Sequence, residues 1–134
     1  MNLSQQTATA ALNTIIAQFN SAVITIYSGV QPASPETALS GNTALVAGTY
    51  AATAFSAPTY VSPNMQSTAS FTAASYAPTA SGTATFARVV ESGGTIVIAD
   101  LTVGTSGTDI IIGSTSIATG TNVSFAQTAA IPAV

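Results

Sequence analysis

The chain has no cysteine, histidine, lysine or tryptophan, and only five of its 134 side chains carry charge at neutral pH. Each absence closes off a class of chemistry. Without cysteine no disulfide framework can form, so a disulfide-stapled secreted scaffold is excluded. Without histidine or cysteine, Ser-His-Asp and Cys-His nucleophilic machinery cannot be assembled. Zinc and copper lose their usual ligands for the same reason. Schiff-base chemistry has no amine beyond the N-terminus. The single cation, Arg88, cannot make the basic patch that phosphate backbones or anionic lipid heads require, so neither nucleic acid nor a membrane is expected as a partner. No phosphate-cradling glycine motif is present, and no cofactor is expected. No apolar run approaches the roughly 18 residues of a membrane span. Met1–Gln6 lacks the basic region of a signal peptide, and none is expected.

What is present fits an assembling protein. Charged residues make up 4% of the chain, against about 25% in an ordinary soluble domain. The solvent face must therefore be built largely from Thr, Ser, Asn, Gln and Ala. Such a surface costs little to desolvate and suits lasting contact with another protein. The low charge does not indicate disorder. Hydrophobic residues are 47% of the chain, and it is rich in Val, Ile and Thr, unlike disordered segments. A chain of this length buries roughly two thirds of its unfolded surface, enough for one core.

Residues 1–134 read as a single β domain with one helix. Leu12, Ile15, Ile16 and Phe19 recur at helical spacing, with Ala8 and Ala11 on the same side, which predicts a helix over about 5–19. Ser4 or Thr7 can cap its start. The stripe either packs into the core or lies on a neighbouring subunit, so Leu12, Ile15, Ile16 and Phe19 are candidate interface residues. The pattern then changes to the β-branched run Ala22–Tyr27, a strand. Ser28-Gly29 ends it. Two prolines in Gln31–Glu36 remove ladder donors and exclude a central strand. This Pro-rich loop or arm, about 30–40, supplies further candidate interface residues in Gln31, Pro32 and Pro35.

Residues 45–80 are Ala/Thr/Ser-rich with single aromatics. They predict short strands near 45–56 and 67–77, joined by a Pro58–Pro63 loop. Phe71 and Tyr76, five apart, fall on opposite faces of a regular strand. Further on, Thr83–Val90 and Thr95–Val103 read as a hairpin about Glu91–Gly94. Asp109–Ile112 reads as a short buried strand, Ser114–Ile117 as a brief strand or edge, and Asn122–Ala129 as an alternating strand. Many short strands with Gly-rich turns predict a mainly β fold: an antiparallel β-sandwich or jelly-roll-like barrel with one N-terminal α-helix.

The carboxylates offer little catalysis. Asp100 and Asp109 flank a Gly-rich turn, and paired carboxylates serve glycosidases and calcium sites. Both uses need more ligands, or a cleft lined by aromatics, than this region supplies. Arg88 has a plainer role. Across the hairpin it lies opposite or diagonal to Asp100, which predicts a structural ion pair of Arg88 with Asp100 or Asp109 that fixes the register. A water-ordering Thr array is not supported, because Thr83-Ala84-Thr85 is an isolated match.

Several segments resemble a known group. Ile26-Tyr27-Ser28-Gly29-Val30-Gln31-Pro32-Ala33-Ser34, with Thr37-Ala38, is similar to a signature near the start of small Ala/Thr/Ser/Gly-rich structural proteins of tailed phages. Gly82-Thr83-Ala84 through Phe86-Ala87-Arg88-Val89, Gly104–Gly107 with Asp109–Ile112, Ser114–Ile117 and a proline near the C-terminus follow in the same order. Together they cover roughly half the chain; 45–80 departs from the pattern. The resemblance implies a virion component encoded among head and tail genes, with no catalytic residues. The leading expectation is a capsid decoration (cement) protein, made in the host cytoplasm and located in the virion. Its expected partners are copies of itself, with a trimer favoured to match local three-fold axes, and the major capsid protein or another virion protein. A tail, baseplate or fibre component is the alternative. A host-surface or glycan-binding module, using Tyr27, Tyr50, Tyr60 and Tyr76 as stacking faces, is a third.

Overall fold

A computed structural model describes residues 2–133. Helix α1 spans Gln5–Ala17. Ser4 is its N-cap, its Oγ accepting the Thr7 N–H at 3.2 Å. The helix stops short of Phe19 because its end tightens, with the N–H groups of Gln18 and Phe19 reaching back only three residues, to Ile15 and Ile16. Ten strands follow. They are β1 (Val23–Ser28), β2 (Thr43–Phe55), β3 (Thr59–Val61), β4 (Asn64–Phe71), β5 (Gly82–Thr83), β6 (Phe86–Val90), β7 (Val97–Gly104), β8 (Ile110–Ile111), β9 (Ser116–Ile117) and β10 (Ala126–Pro132).

Seven of these strands form a closed barrel in the order β10-β8-β7-β6-β1-β2-β4, sealed by pairing of β10 with β4. All neighbours are antiparallel except β7 and β8. β3 continues the line of β2 along one side of β4, opposite the side taken by β10, and β5 pairs with β9 in a separate small sheet. The mainly β fold with one helix agrees with the sequence. The expected sandwich or jelly-roll is not confirmed: closure removes the two edges that stacked sheets would leave. A register irregularity between Tyr50 and Phe55 accompanies the change of partner along the thirteen-residue β2. Such irregularities bend a strand, which is how a sheet turns a corner.

The middle of the chain differs most from expectation. The prolines there do not mark one loop. Pro58 lies just before β3, and Pro63 sits in the turn between β3 and β4, both outside the ladders. β4 ends at Phe71, so residues 72–77 are not strand; Tyr76 makes only a single bridge to Val123. Phe71 and Tyr76 therefore share a partner instead of facing apart. Their ring centroids lie 5.6 and 5.3 Å from that of Phe125.

The interior is read from the register. Ile24 faces Gly48 and Val89, and Ile26 faces Val46 and Ala87, all buried. Gly48 has a specific cause. A Cβ there would stand 2.5 Å from the Phe125 ring and 2.8 Å from the Tyr76 ring, so only glycine lets the stacked pair enter. Helix α1 rests against β2, β4 and β10, and its buried Ala8, Leu12 and Ile16 join the same core. Phe19 meets Tyr50 and Phe55 edge-on, at 5.4 Å each. Inside, the Tyr50 hydroxyl donates to Oε1 of buried Gln127.

Candidate interaction surface

The outer face of β1, β6 and β7 is built in three cross-strand rows. They alternate with the inward rows led by Ile24 and Ile26, so they point out of the barrel. The first row is Val23, Val90 and Val97; the second is Thr25, Arg88 and Asp100; the third is Tyr27, Phe86 and Thr102. One row is thus aliphatic, one ionic and one aromatic. In the third, Tyr27 stacks on Phe86 at 5.4 Å.

Arg88 holds the ionic row together. Its Nε donates to Asp100 Oδ1 at 2.7 Å and its Nη2 to Oδ2 at 2.8 Å, a two-pronged pair. The side chains are only 7% and 2% exposed. The hydrogen bond from Asp100 holds the guanidinium even more firmly protonated than usual, against the opposing effect of burial. The remaining donors go to the arm, with Nη1 reaching the Thr37 carbonyl at 2.9 Å and Nη2 the Ser34 carbonyl at 3.4 Å. One side chain therefore clamps the Pro-rich segment to the barrel wall. The arm's two ends are fixed separately. Asn42 Nδ2 donates to the carbonyls of Ser28 and Val30, and Thr85 Oγ1 to those of Tyr27 and Gly29.

The clamped arm leaves apolar groups in solvent. Val30 is 86% exposed and Ile96 60%. A groove of 460 Å³ runs between Pro35–Ala38 and Thr95–Val97, with Arg88 at its floor. A second, of 420 Å³, is lined by Val30–Ala33 and shares Thr37 and Ala38 with the first. Gln31, Pro32 and Pro35 all lie on this surface. A separate hollow of 330 Å³ at Gly113–Ala118 and Thr121–Ser124 has no charged or aromatic lining, so it offers neither acid–base groups nor a sugar-stacking face.

The helix candidates divide. Leu12, Ile16 and Phe19 are buried in the protein's own core and leave the candidate interface, because the Ala8-Leu12-Ile16 stripe lies against the barrel. Ile15 is half exposed. The two aspartates do not meet as a site. Asp100 is taken by Arg88, while Asp109 accepts from the N–H and Oγ1 of Thr102 at 3.0 Å each. Among the described residues no three carboxylate, imidazole or thiol groups gather. Of the tyrosines, Tyr50 is buried, Tyr27 and Tyr76 are stacked on phenylalanines, and Tyr60 presents its ring to solvent beside exposed Val61.

Sequence reading missed the aliphatic row. Val97 and Ile96 were placed in a regular hairpin strand, but β6 and β7 slip register between Val89 and Val90. Val90 faces outward by the regular alternation of β6, and the slip brings Val97 rather than Ile98 beside it; only the nearby Gly93-Gly94 hints at the irregularity. Comparison of the chain with family models, with curated proteins and with solved structures gives no match in any of the three.

Proposed function

We propose that the chain is a structural component of a tailed-phage virion, a capsid decoration protein that binds the outer head shell as a symmetric oligomer. The observation that carries the reading is the distribution of charge. Arg88 and Asp100 neutralise each other in the barrel wall. The surface is left with Glu36, Glu91 and Asp109 as its only charged side chains. Water gains little from such a surface, so burying it against other proteins costs little. A small closed barrel with a clamped arm supplies a rigid unit, and many copies on a repeating shell add weak contacts into firm attachment. A trimer on local three-fold axes is the favoured state.

Electron microscopy of the native particle tests the reading. Regular density for this chain across the shell supports decoration and gives the oligomer number. Density confined to a tail vertex moves the protein to the tail or baseplate, where few copies are present. A glycan-binding role has lost much of its motivation, since three of the four tyrosine rings are engaged within the fold.

A further inference from the structure

We infer that the face formed by Ile96, Val23, Val97 and the arm at Pro35–Glu36 docks a different protein, one that presents lysine or arginine beside an apolar side chain, and is not the contact between copies of this chain. The inference rests on the structural reading above and adds the identity of the partner on this face.

Three observations carry it. The face is apolar and uncovered. Val23 is 39% exposed and Ile96 60%, and the register puts Val23, Val90 and Val97 side by side across three strands. Next, the rim is acidic. Glu36 lines the groove with Thr95, Ile96 and Val97, and the Glu91 carboxylate accepts from Thr95 Oγ1 at 2.7 Å. Two negative charges thus flank Ile96. Finally, the chain has no free cationic side chain to answer them. It contains no lysine, and its single arginine is spent on Asp100 and on two arm carbonyls. A second copy offers no lysine or free arginine to this face: a two-fold contact would add carboxylates to carboxylates, and the head-to-tail contact of a trimer would bring only neutral side chains or Asp109, so neither answers the rim. A partner bearing cations satisfies the rim while its apolar side chain covers Ile96.

The missing lysine makes the test unusually clean. Carbodiimide coupling joins carboxylates to amines, and apart from the N-terminus this chain has no amine. Any coupling from Glu36 or Glu91 to a lysine therefore marks another protein. Purified protein is bound to purified capsid shells, coupled, digested and analysed by mass spectrometry. Alongside, Ile96→Asp and Glu36→Lys variants are assayed by co-sedimentation with shells and by analytical ultracentrifugation alone. Expected are couplings from Glu36 or Glu91 to shell lysines, shell binding weakened about tenfold or more in both variants, and an unchanged oligomeric state and melting temperature. Full shell binding by both variants overturns the inference. So does dissociation of the oligomer by Ile96→Asp, which would make this face a contact between copies. Wild-type protein that binds no shell overturns the decoration reading, and the inference with it.

Discussion

The Tyr50 hydroxyl is bonded to the amide oxygen of Gln127 within the barrel, which joins β2 to the last strand of the ring. Burial pushes this phenol far above its ordinary value. In the unfolded chain it ionises near pH 10. A group whose folded value is raised contributes stability that is complete below the unfolded value and lost as pH rises above it.

The Tyr50 contribution should therefore be level up to about pH 10 and then fall, by up to about 1.4 kcal/mol per pH unit. Tyr76 acts in the opposite sense and in a lower window, adding stability as pH rises toward about 10 and nothing further above it. Burial raises its hydroxyl, but the hydrogen bonds it shares with the Thr72 hydroxyl and accepts from the Ala73 N–H outweigh that and set it below the ordinary value. Urea unfolding at pH 8 and pH 11 measures the fall. In Tyr50→Phe the alkaline loss should be shallower, although leaving Gln127 unpaired costs about 1–3 kcal/mol at neutral pH.

Replacing Arg88 by methionine should lower stability by about 3–5 kcal/mol, because it strands a buried carboxylate. Asp100→Asn should also destabilise, and the double substitution should lose less than the two single losses added together. Thermal unfolding of the four proteins closes the cycle. An unchanged melting temperature in Arg88→Met would show that the pair does not fix the hairpin.

Gly48→Ala adds one methyl where the Phe125 and Tyr76 rings already stand. Overpacking should cost about 1–3 kcal/mol, visible as a lower urea midpoint. Combining it with Phe125→Leu should recover part of the loss. A stabilising Gly48→Ala would contradict the packing.

In the helix, Leu12→Ala should cost about 2–5 kcal/mol through the cavity it leaves. Ile15→Ala, at a half-exposed site, should stay within about 0.5 kcal/mol. Equal effects in chemical denaturation would mean that the stripe is turned differently from the arrangement described.

The elements that could be read from sequence are those with strong local patterns. The helix stripe, the Ala22–Tyr27 strand and the pairing of Arg88 with Asp100 each follow from spacing within one element or one hairpin. Barrel closure depends on contacts that no local pattern carries. β10 finds β4 mostly through Thr, Ala, Ser and Gln positions, with Ile131 opposite Met65 as its one large apolar pair, and such side chains give little alternation to read. The Pro58 and Pro63 positions misled for a related reason. Proline excludes a residue from the ladder but says nothing about its neighbours, and a three-residue strand fits between them. The arm's place was equally hidden. Nothing in Gln31–Glu36 announces that its far side is held by a guanidinium some fifty residues later, with Thr37 and Arg88 51 apart. Val97 joins the outward pair of Val23 and Val90 only through the slip between β6 and β7, which its own alternation does not mark.

The seam between β4 and β10 also sets an order of events during synthesis. Thr68 pairs with Thr128, so the ribosome delivers six strands of the ring before it makes the one that seals it. Until then the edge of β4 stays open, a template on which another nascent chain can add a strand. Pairings of such long sequence separation form slowly. Crowded polysomes are therefore where this protein is most exposed to misassembly, and dilute expression should favour the closed ring.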